Sequence, residues 1–156
     1  RDLNRKVTEL KEVILLETGS LAPAIALPDS AGTVQQLAAY RGKMVLLAFW
    51  ASWSSQSCSE LDKAAQFAEK FSGKLTVFGV SLDRTRNSWL RRAAGFPNGI
   101  VQVCDLKYWD SPVAETYRIS KLPVMLLLDA EGRIVRKDFT ADQLAGILEK
   151  EFQTAH

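Results

Sequence analysis

Residues 49–58, which read FWASWSSQSC, decide the fold of this chain. They overlap the end of a continuous apolar run, residues 43–50 (KMVLLAFW), of the kind found in a strand that is buried on both faces of a sheet. Residues 57–71 then place apolar side chains at helical spacing along one face. The stretch is therefore the junction between a central strand and the following helix, which is where open α/β sheets gather their functional groups.

The rest of the chain continues the alternation of strands and helices. Further strands are predicted at residues 75–81, 100–104, 124–129 and 133–138, and further helices at residues 85–94, 111–117 and 140–152. Thr140 and Gln143 form a capping box at the start of the last helix. Strands separated by helices predict an α/β fold with a mixed, mostly parallel central sheet and helices on both faces, and the final hairpin adds antiparallel pairing.

The N-terminal part differs from this alternation. Apolar residues recur at helical spacing between positions 3 and 14, so residues 1–18 are predicted to form an amphipathic helix or linker that ends at Gly19. Residues 22–29 contain prolines and alternate in part, which predicts a short edge strand or hairpin. The predicted organisation is thus an N-terminal helix or linker followed by one folded domain at residues 19–156.

The composition excludes several classes of function. The 156 residues are 47% hydrophobic, which fits one domain with a sizeable core. The 20 basic and 18 acidic residues give a net charge of +2 without a run of like charge, so neither nucleic acid nor an anionic membrane is an expected partner. The apolar runs have the length of strands and are too short to span a membrane.

Cysteine and histidine are scarce in the chain. The two cysteines are Cys58 and Cys104, and the one histidine is His156 at the C-terminus. This supply is too small for a disulfide scaffold, a zinc site or a Cys–His nucleophile pair, so no metal and no cofactor are expected. Because the first residue is Arg1 rather than Met, a signal peptide, a lipid anchor or another domain can precede it, and the sequence leaves this open.

Residues 49–53 (FWASW) match, without a gap, the active-site strand and turn of thioredoxin-like proteins. The resemblance is strongest to the TlpA/ResA type of the bacterial cell envelope, AhpC/TSA-like thiol-disulfide oxidoreductases in which Cys-x-x-Cys follows these residues. It extends from about Gly19 to the C-terminus and includes Gly42-Lys43, Val103-Cys104-Asp105, Trp109-Asp110-Ser111 and Leu122-Pro123. The resemblance implies a thioredoxin-like fold and a location in the periplasm or cell envelope.

The chain departs from this family at the reactive positions. The resemblance places the family's attacking cysteine at Ser54 and its resolving cysteine at Ser57, within the turn Ser54-Ser55-Gln56-Ser57. A serine hydroxyl forms neither a comparable thiolate nor a disulfide, and no histidine stands nearby to act as its base. The sequence therefore predicts a protein of an oxidoreductase family that lacks dithiol activity.

The resemblance also implies a surface for a partner. It predicts a cis peptide bond before Pro123, which then faces the active-site turn and offers backbone groups to an extended polypeptide. Trp53 corresponds to the tryptophan beside the family's cysteines, where it forms an apolar platform for partner contact. We expect Trp50 to fill the core. We expect Tyr108 and Trp109 to line the same end of the sheet as Trp53.

The sequence leaves two interpretations of Cys58. Its place in the first turn of a helix favours a thiolate, and Ala51-x-x-x-Ser55-x-x-Cys58 approaches the peroxiredoxin pattern Pro-x-x-x-Thr/Ser-x-x-Cys. Against this, Ala51 replaces the proline, and Pro123 stands about where the assisting arginine would be sought. The alternative is an ordinary, half-buried and unreactive residue on the helix.

Cys104 ends a predicted strand, so it should also lie at the carboxyl edge of the sheet. It is either a buried apolar residue or a thiol partner of Cys58. A disulfide needs the two Cα atoms within about 7 Å, whereas an intervening strand would separate such positions by about 10 Å. This distance favours the interpretation of Cys104 as a buried residue without a disulfide partner.

Three functions therefore compete. The first is a polypeptide-binding or accessory module that uses the surface around Trp53 and Pro123. The second is a single-thiol enzyme, peroxidase-like or thiol-exchanging, that uses Cys58, with or without Cys104. The third is a structural domain joined to an upstream region. Because the aromatic residues and Pro123 are kept while both motif cysteines are replaced, the first is favoured.

Overall fold

A computed structural model of the protein describes residues 16–71, 73–97 and 99–154. The N-terminal helix predicted within residues 1–18 lies almost entirely outside these ranges, so that helix and the domain division stay predictions. The strands are β1 (Ala26–Pro28), β2 (Val34–Gln36), β3 (Met44–Trp50), β4 (Leu75–Ser81), β5 (Ile100–Cys104), β6 (Val124–Leu128) and β7 (Ile134–Lys137). The α-helices are α1 (Ser55–Glu69), α2 (Arg86–Ala93), α3 (Pro112–Thr116) and α4 (Ala141–Thr154), and short 3₁₀ helices cover Leu37–Tyr40 and Tyr108–Asp110.

The central sheet has five strands in the order β5-β4-β3-β6-β7. β3, β4 and β5 are parallel, whereas β6 pairs antiparallel with both β3 and β7. β1 and β2 form a separate antiparallel hairpin, as the sequence before β3 predicted. The predicted strands at residues 75–81 and 100–104 agree with β4 and β5 at both ends.

The hydrophobic core has two halves, one on each face of the sheet. On one face, Leu61 of α1, Trp89 of α2 and Leu144 of α4 are buried. On the other face, Leu27 of the hairpin and Ala114 of α3 are buried. Helices therefore cover both faces of a mixed α/β sheet, which confirms the predicted thioredoxin-like fold class.

β3 brings the quoted stretch to the centre of this sheet. Residues 45–50 are each at most 3% exposed and alternate between the two halves of the core, as a strand buried on both faces should. Trp50 packs against Phe96 with ring centroids 5.0 Å apart, and its indole N–H donates to Gln102 Oε1 at 3.2 Å. Gly79 makes room for this pair, since a Cβ there would lie 2.9 Å from the Gln102 oxygen. The prediction that Trp50 fills the core is confirmed.

Side-chain caps determine where two of the helices begin. α1 begins at Ser55 rather than at the predicted Ser57, because the Ser54 hydroxyl caps the helix by accepting a hydrogen bond from the Ser57 N–H at 3.2 Å. The predicted start of this helix was therefore wrong. At α4, the Thr140 N–H donates to Gln143 Oε1 at 2.9 Å. This bond confirms the part of the predicted capping box in which the Gln143 side chain reaches back to the cap residue.

Within the described ranges, no helix has the length and apolar character that crossing a bilayer requires.

Candidate functional site

The connection from β3 to α1 is a tight turn of residues 51–54. The Ser54 N–H donates to the Ala51 carbonyl at 3.0 Å, and the Cys58 N–H donates to the Ser54 carbonyl at 3.1 Å. Together with the Ser54 cap, these bonds join the end of the strand directly to the first turn of the helix. Residues 54–57, where the resemblance places the reactive pair, are therefore held in a defined geometry.

Ser57 is built into this turn and is only 1% exposed. Its hydroxyl accepts a hydrogen bond from the Ala51 N–H at 3.1 Å and donates to the Ser54 carbonyl at 2.9 Å. A hydroxyl suits this double role because it is a strong donor and acceptor, whereas a thiol is weak in both. At position 57, where the resemblance places the resolving cysteine, a hydroxyl oxygen closes the turn.

Cys58 lies one residue further along α1 and is 4% exposed. Its thiol donates to the Ala51 carbonyl, with the sulfur 3.3 Å from the oxygen. Burial raises the pKa of the Cys58 thiol; the Arg92 guanidinium lowers it in part, and the Asp83 carboxylate raises it further. An arginine therefore stands close to Cys58, which the sequence could not establish. The net shift nevertheless opposes the thiolate that the helix N-terminus alone would favour.

Cys104 lies at the end of β5 and is 2% exposed. Its thiol donates to the Asp83 carbonyl at 3.6 Å, and its sulfur accepts a hydrogen bond from the Leu106 N–H at 3.4 Å. Burial is the main cause that raises the pKa of the Cys104 thiol. Cys58 and Cys104 are both free thiols; Cys104 ends β5, Cys58 lies in the helix that follows β3, and β4 lies between β5 and β3. The structure therefore has no disulfide between them.

Asp83 is a buried acid beneath the turn that the sequence reasoning missed. It is 1% exposed and follows the end of β4. One carboxylate oxygen accepts from the Ser52 N–H at 2.9 Å and from the Ser52 hydroxyl at 2.5 Å, and the other accepts from the Ser81 hydroxyl at 2.6 Å. The signal available in the sequence was an acid placed just after a central strand, at the sheet edge where function gathers.

Three aromatic side chains beside the turn form a surface that we call the aromatic platform: the exposed Trp53 and the half-buried Tyr108 and Trp109. Trp53 is 49% exposed, and its ring centroid lies 5.6 Å from that of Tyr108 and 5.7 Å from that of Trp109. The Arg84 guanidinium lies over the Tyr108 ring, 4.5 Å from its centroid. The predictions that Trp53 is exposed and that Tyr108 and Trp109 lie at the same end are confirmed.

The loop that carries the aromatic platform has an unusual backbone. Leu106 and Tyr108 have φ values of 61° and 57°, the left-handed region that residues other than glycine seldom adopt. Such conformations cost free energy and persist where the surrounding structure fixes them. The loop therefore holds Tyr108 against Trp53 at a conformational cost.

Pro123 follows a cis peptide bond after Leu122, as the resemblance predicted. Val124, the next residue, pairs with Phe49 across the β3–β6 ladder. Pro123 therefore lies at the same end of the sheet as the turn that follows β3. A cleft of about 270 Å³ adjoins it, and Tyr117 and Phe139 are among the residues that line this cleft.

The site has no evident place for a metal. Within residues 16–71, 73–97 and 99–154, no group of three or more His, Cys, Asp or Glu side chains is arranged to hold a metal ion. The buried carboxylate of Asp83 is occupied by the hydroxyl and amide donors of Ser52 and Ser81. The exposed side chains at and directly after the turn are instead those of Trp53, Ser55 and Gln56.

A cis-proline beside a strand–turn–helix junction, in a five-stranded sheet of this order, defines a thioredoxin-like protein. The AhpC/TSA family profile matches residues 18–142, and the chain belongs to this family, within which it is a thioredoxin-like protein of the TlpA/ResA type. The predicted family is thereby confirmed.

Relatives and solved structures agree with this assignment. The chain is 27% identical, over 147 residues, to the thiol-disulfide oxidoreductase ResA of Bacillus cereus, an alignment that covers 86% of this chain and 79% of that protein. It is similar to the crystal structure of the thioredoxin domain of a thiol-disulfide oxidoreductase from Bacteroides vulgatus, with 33% identity, a TM-score of 0.80 and coverage of 88% and 99% of the two chains. A thiol-disulfide oxidoreductase from Bacteroides fragilis gives 29% identity, a TM-score of 0.72 and coverage of 85% and 99%.

Proposed function

We propose that this protein is a polypeptide-binding or accessory module of its oxidoreductase family that does not perform dithiol exchange. The observation that carries the proposal is the contrast, within one turn, between two hydrogen-bonded serines and an exposed tryptophan. Ser54 and Ser57, at the positions of the reactive pair, are hydrogen-bonded into the backbone, while Trp53 beside them stays half exposed. The turn thus keeps its contact surface but presents no sulfur at the two positions that exchange requires.

Exchange needs an exposed attacking thiolate and a second thiol within the same turn. The thiol nearest to the turn is Cys58, which is buried and has a raised pKa. Binding needs only shape, exposed apolar area and accessible backbone, and the aromatic platform together with Pro123 supplies these. A large, half-exposed tryptophan is also the kind of residue that dominates interface energetics.

We propose a periplasmic or cell-envelope location for this module. The support is the resemblance to the TlpA/ResA type, whose members act outside the inner membrane. The aromatic platform and Pro123 would then meet exported polypeptides or a neighbouring domain.

Replacing Trp53 by alanine should abolish most of the binding to an unfolded polypeptide. The probe is a fluorescein-labelled peptide of twelve residues, uncharged, with one central Phe-Trp pair and Gly-Ser flanks. We expect its dissociation constant, measured by fluorescence anisotropy, to rise at least about tenfold in Trp53→Ala, because a hot-spot aromatic contributes about 2 kcal/mol or more.

The matched control for this experiment is Leu21→Ala. Leu21 is 48% exposed, almost the same as Trp53 at 49%, but it bridges to Arg133, the residue before β7, away from the turn. Its replacement should leave the dissociation constant unchanged. Equal binding by Trp53→Ala and the parent protein, or no binding by the parent, would contradict the proposed function.

The second candidate function, a single-thiol enzyme, is favoured by one observation: the Arg92 guanidinium lies close enough to Cys58 to lower its pKa in part. An arginine beside a cysteine thiol is the arrangement that activates such residues. Burial acts in the opposite direction and more strongly. The two candidates therefore differ in the ionisation of Cys58 at neutral pH.

The alkylation rate of Cys58 by iodoacetamide, measured in Cys104→Ser, should still be rising at about pH 9. The reason is that a raised pKa keeps the thiol protonated at neutral pH, and the thiolate fraction then increases about tenfold for each pH unit. The reciprocal variant, Cys58→Ser, reports Cys104 alone and should behave similarly, since both thiols are buried. A rate that levels off below about pH 8, together with rapid loss of the Cys58 thiol to peroxide, would establish the single-thiol enzyme instead.

A further inference from the structure

We infer that the polypeptide bound at the aromatic platform is acidic: an extended segment in which carboxylates flank an aromatic anchor. This inference rests on the proposed function and specifies the partner of the same surface. Its basis is the set of cations around the platform, Arg84, Lys107 and Lys121. All three are exposed, and none of them forms an ion pair within the described residues.

The three cations lie on separate loops at the end of the sheet where the platform stands. Arg84 lies over the Tyr108 ring, and Lys107 directly precedes Tyr108 in the chain. Lys121 stands two residues before Pro123, on the loop that leads into β6. A polypeptide that extends across the platform toward Pro123 would therefore lie near these three positive charges.

Arg84 is oriented for this role by its contact with Tyr108. The stacked guanidinium is held over the ring, so part of the ordering cost of a long side chain is met before a partner arrives. No acceptor among the described residues takes a hydrogen bond from its guanidinium. Its planar fork of N–H donors matches the two oxygens of a carboxylate.

The acidic groups near the platform do not neutralise these three cations. The Asp83 carboxylate is buried and takes its hydrogen bonds from Ser52 and Ser81. The Asp105 carboxylate accepts from the Ser111 hydroxyl at 2.6 Å and from a backbone N–H at 3.1 Å. Asp110, at the end of the 3₁₀ helix, is the exposed acid of this loop. Exposed positive charge therefore exceeds exposed negative charge around the rings.

The experiment compares three peptides that differ only in charge. Each is a fluorescein-labelled twelve-residue peptide with a central Phe-Trp pair, and the flanks carry four Asp, four Lys or no charge. We expect the acidic peptide to bind the full chain about tenfold more tightly than the basic one at low salt, and this preference to shrink at about 0.3 M salt as screening increases. Fluorescence anisotropy gives the dissociation constants.

A variant with three reversed charges and a control with two reversed charges elsewhere test whether these cations cause the preference. Arg84→Glu combined with Lys107→Glu and Lys121→Glu should remove or reverse the preference. The control, Lys43→Glu with Lys74→Glu, alters exposed lysines that directly precede β3 and β4, at the opposite end of the parallel strands. The control should keep most of the preference, because its charges lie far from the platform.

The outcomes separate the two proposals. If the uncharged peptide binds in a Trp53-dependent way but the acidic and basic peptides bind equally, the acidic partner is refuted and the proposed function stands. The acidic partner is also refuted, and the proposed function again stands, if the control variant Lys43→Glu with Lys74→Glu removes the preference for the acidic peptide as fully as the triple variant does. If no peptide binds, both proposals fail. A preference for acid that only the triple variant abolishes supports the inference.

Discussion

A protein carrying both Ser54→Cys and Ser57→Cys should reduce disulfides, whereas the parent protein should not. Position 54 is the N-cap of a 15-residue helix and is partly exposed, so the helix dipole and the free N–H groups lower the pKa of a thiol placed there. Position 57 is buried one turn further along the same helix, where a second thiol can act as the resolver. We expect the rate of insulin disulfide reduction by dithiothreitol to rise at least about tenfold above background.

The chemistry of this gain is ordinary thiol–disulfide exchange. The thiolate introduced at position 54 attacks one sulfur of the substrate disulfide, forms a mixed disulfide and releases the other sulfur as a thiolate. The thiol introduced at position 57 then loses its proton, attacks the mixed disulfide and releases the reduced substrate. Dithiothreitol reduces the resulting 54–57 disulfide and is itself oxidised. The substitution at position 57 should also cost about 1 kcal/mol of stability, because sulfur replaces the hydroxyl that closes the turn.

The single variant Ser54→Cys is the matched control for this gain. It should form a mixed disulfide with a small disulfide reagent and then stop, because no resolver is present in the turn. Circular dichroism should show the parent fold for both variants. A folded double variant that remains inactive would mean that residues 51–57 are not the functional turn.

The sequence predicted the fold well because its main signals are local. The run MVLLAFW fills β3, and its burial on both faces follows from the lack of polar residues. β4 and β5 were predicted to the residue, since a glycine or proline lies near the start of each and an acid, Asp83 or Asp105, follows within two residues of its end. The start of α1 was misplaced because the cap at Ser54 depends on a hydroxyl contact, and four consecutive polar residues gave no apolar period to locate it.

The exposed Trp53 and the cis bond before Pro123 were predicted, but the contacts within the turn were not. The positions of Trp53, Ser54 and Pro123 followed from the family resemblance, which fixes the order of elements around the turn. The effect of Arg92 on the pKa of Cys58 and the bond of Asp83 to Ser52 join elements far apart in sequence. Such contacts arise from tertiary packing, so no local period or cap signals them.

Asp83→Ala should destabilise the protein by about 3 kcal/mol and loosen the turn of residues 51–54. The substitution removes the acceptor for three donors, the Ser52 N–H, the Ser52 hydroxyl and the Ser81 hydroxyl, and it leaves them in a site that is almost closed to water. Hydrogen bonds to a charged group contribute about 1.5–3 kcal/mol each, and hydroxyl rotation or water entry recovers part of the loss. Urea unfolding, followed by circular dichroism, measures the change in the free energy of unfolding.

Asp83→Asn is the conservative variant that separates this network from simple loss of packing. Its amide oxygen can still accept from Ser52, and its amide N–H₂ can donate to the Ser81 oxygen, so we expect roughly half of the stability loss. Because Ser52 directly precedes Trp53, binding of the uncharged peptide should weaken in Asp83→Ala and recover in Asp83→Asn. Equal unfolding midpoints for Asp83→Ala and the parent protein would show that the buried acid does not hold the turn. The platform would then owe its geometry to the strained loop at Leu106 and Tyr108 alone.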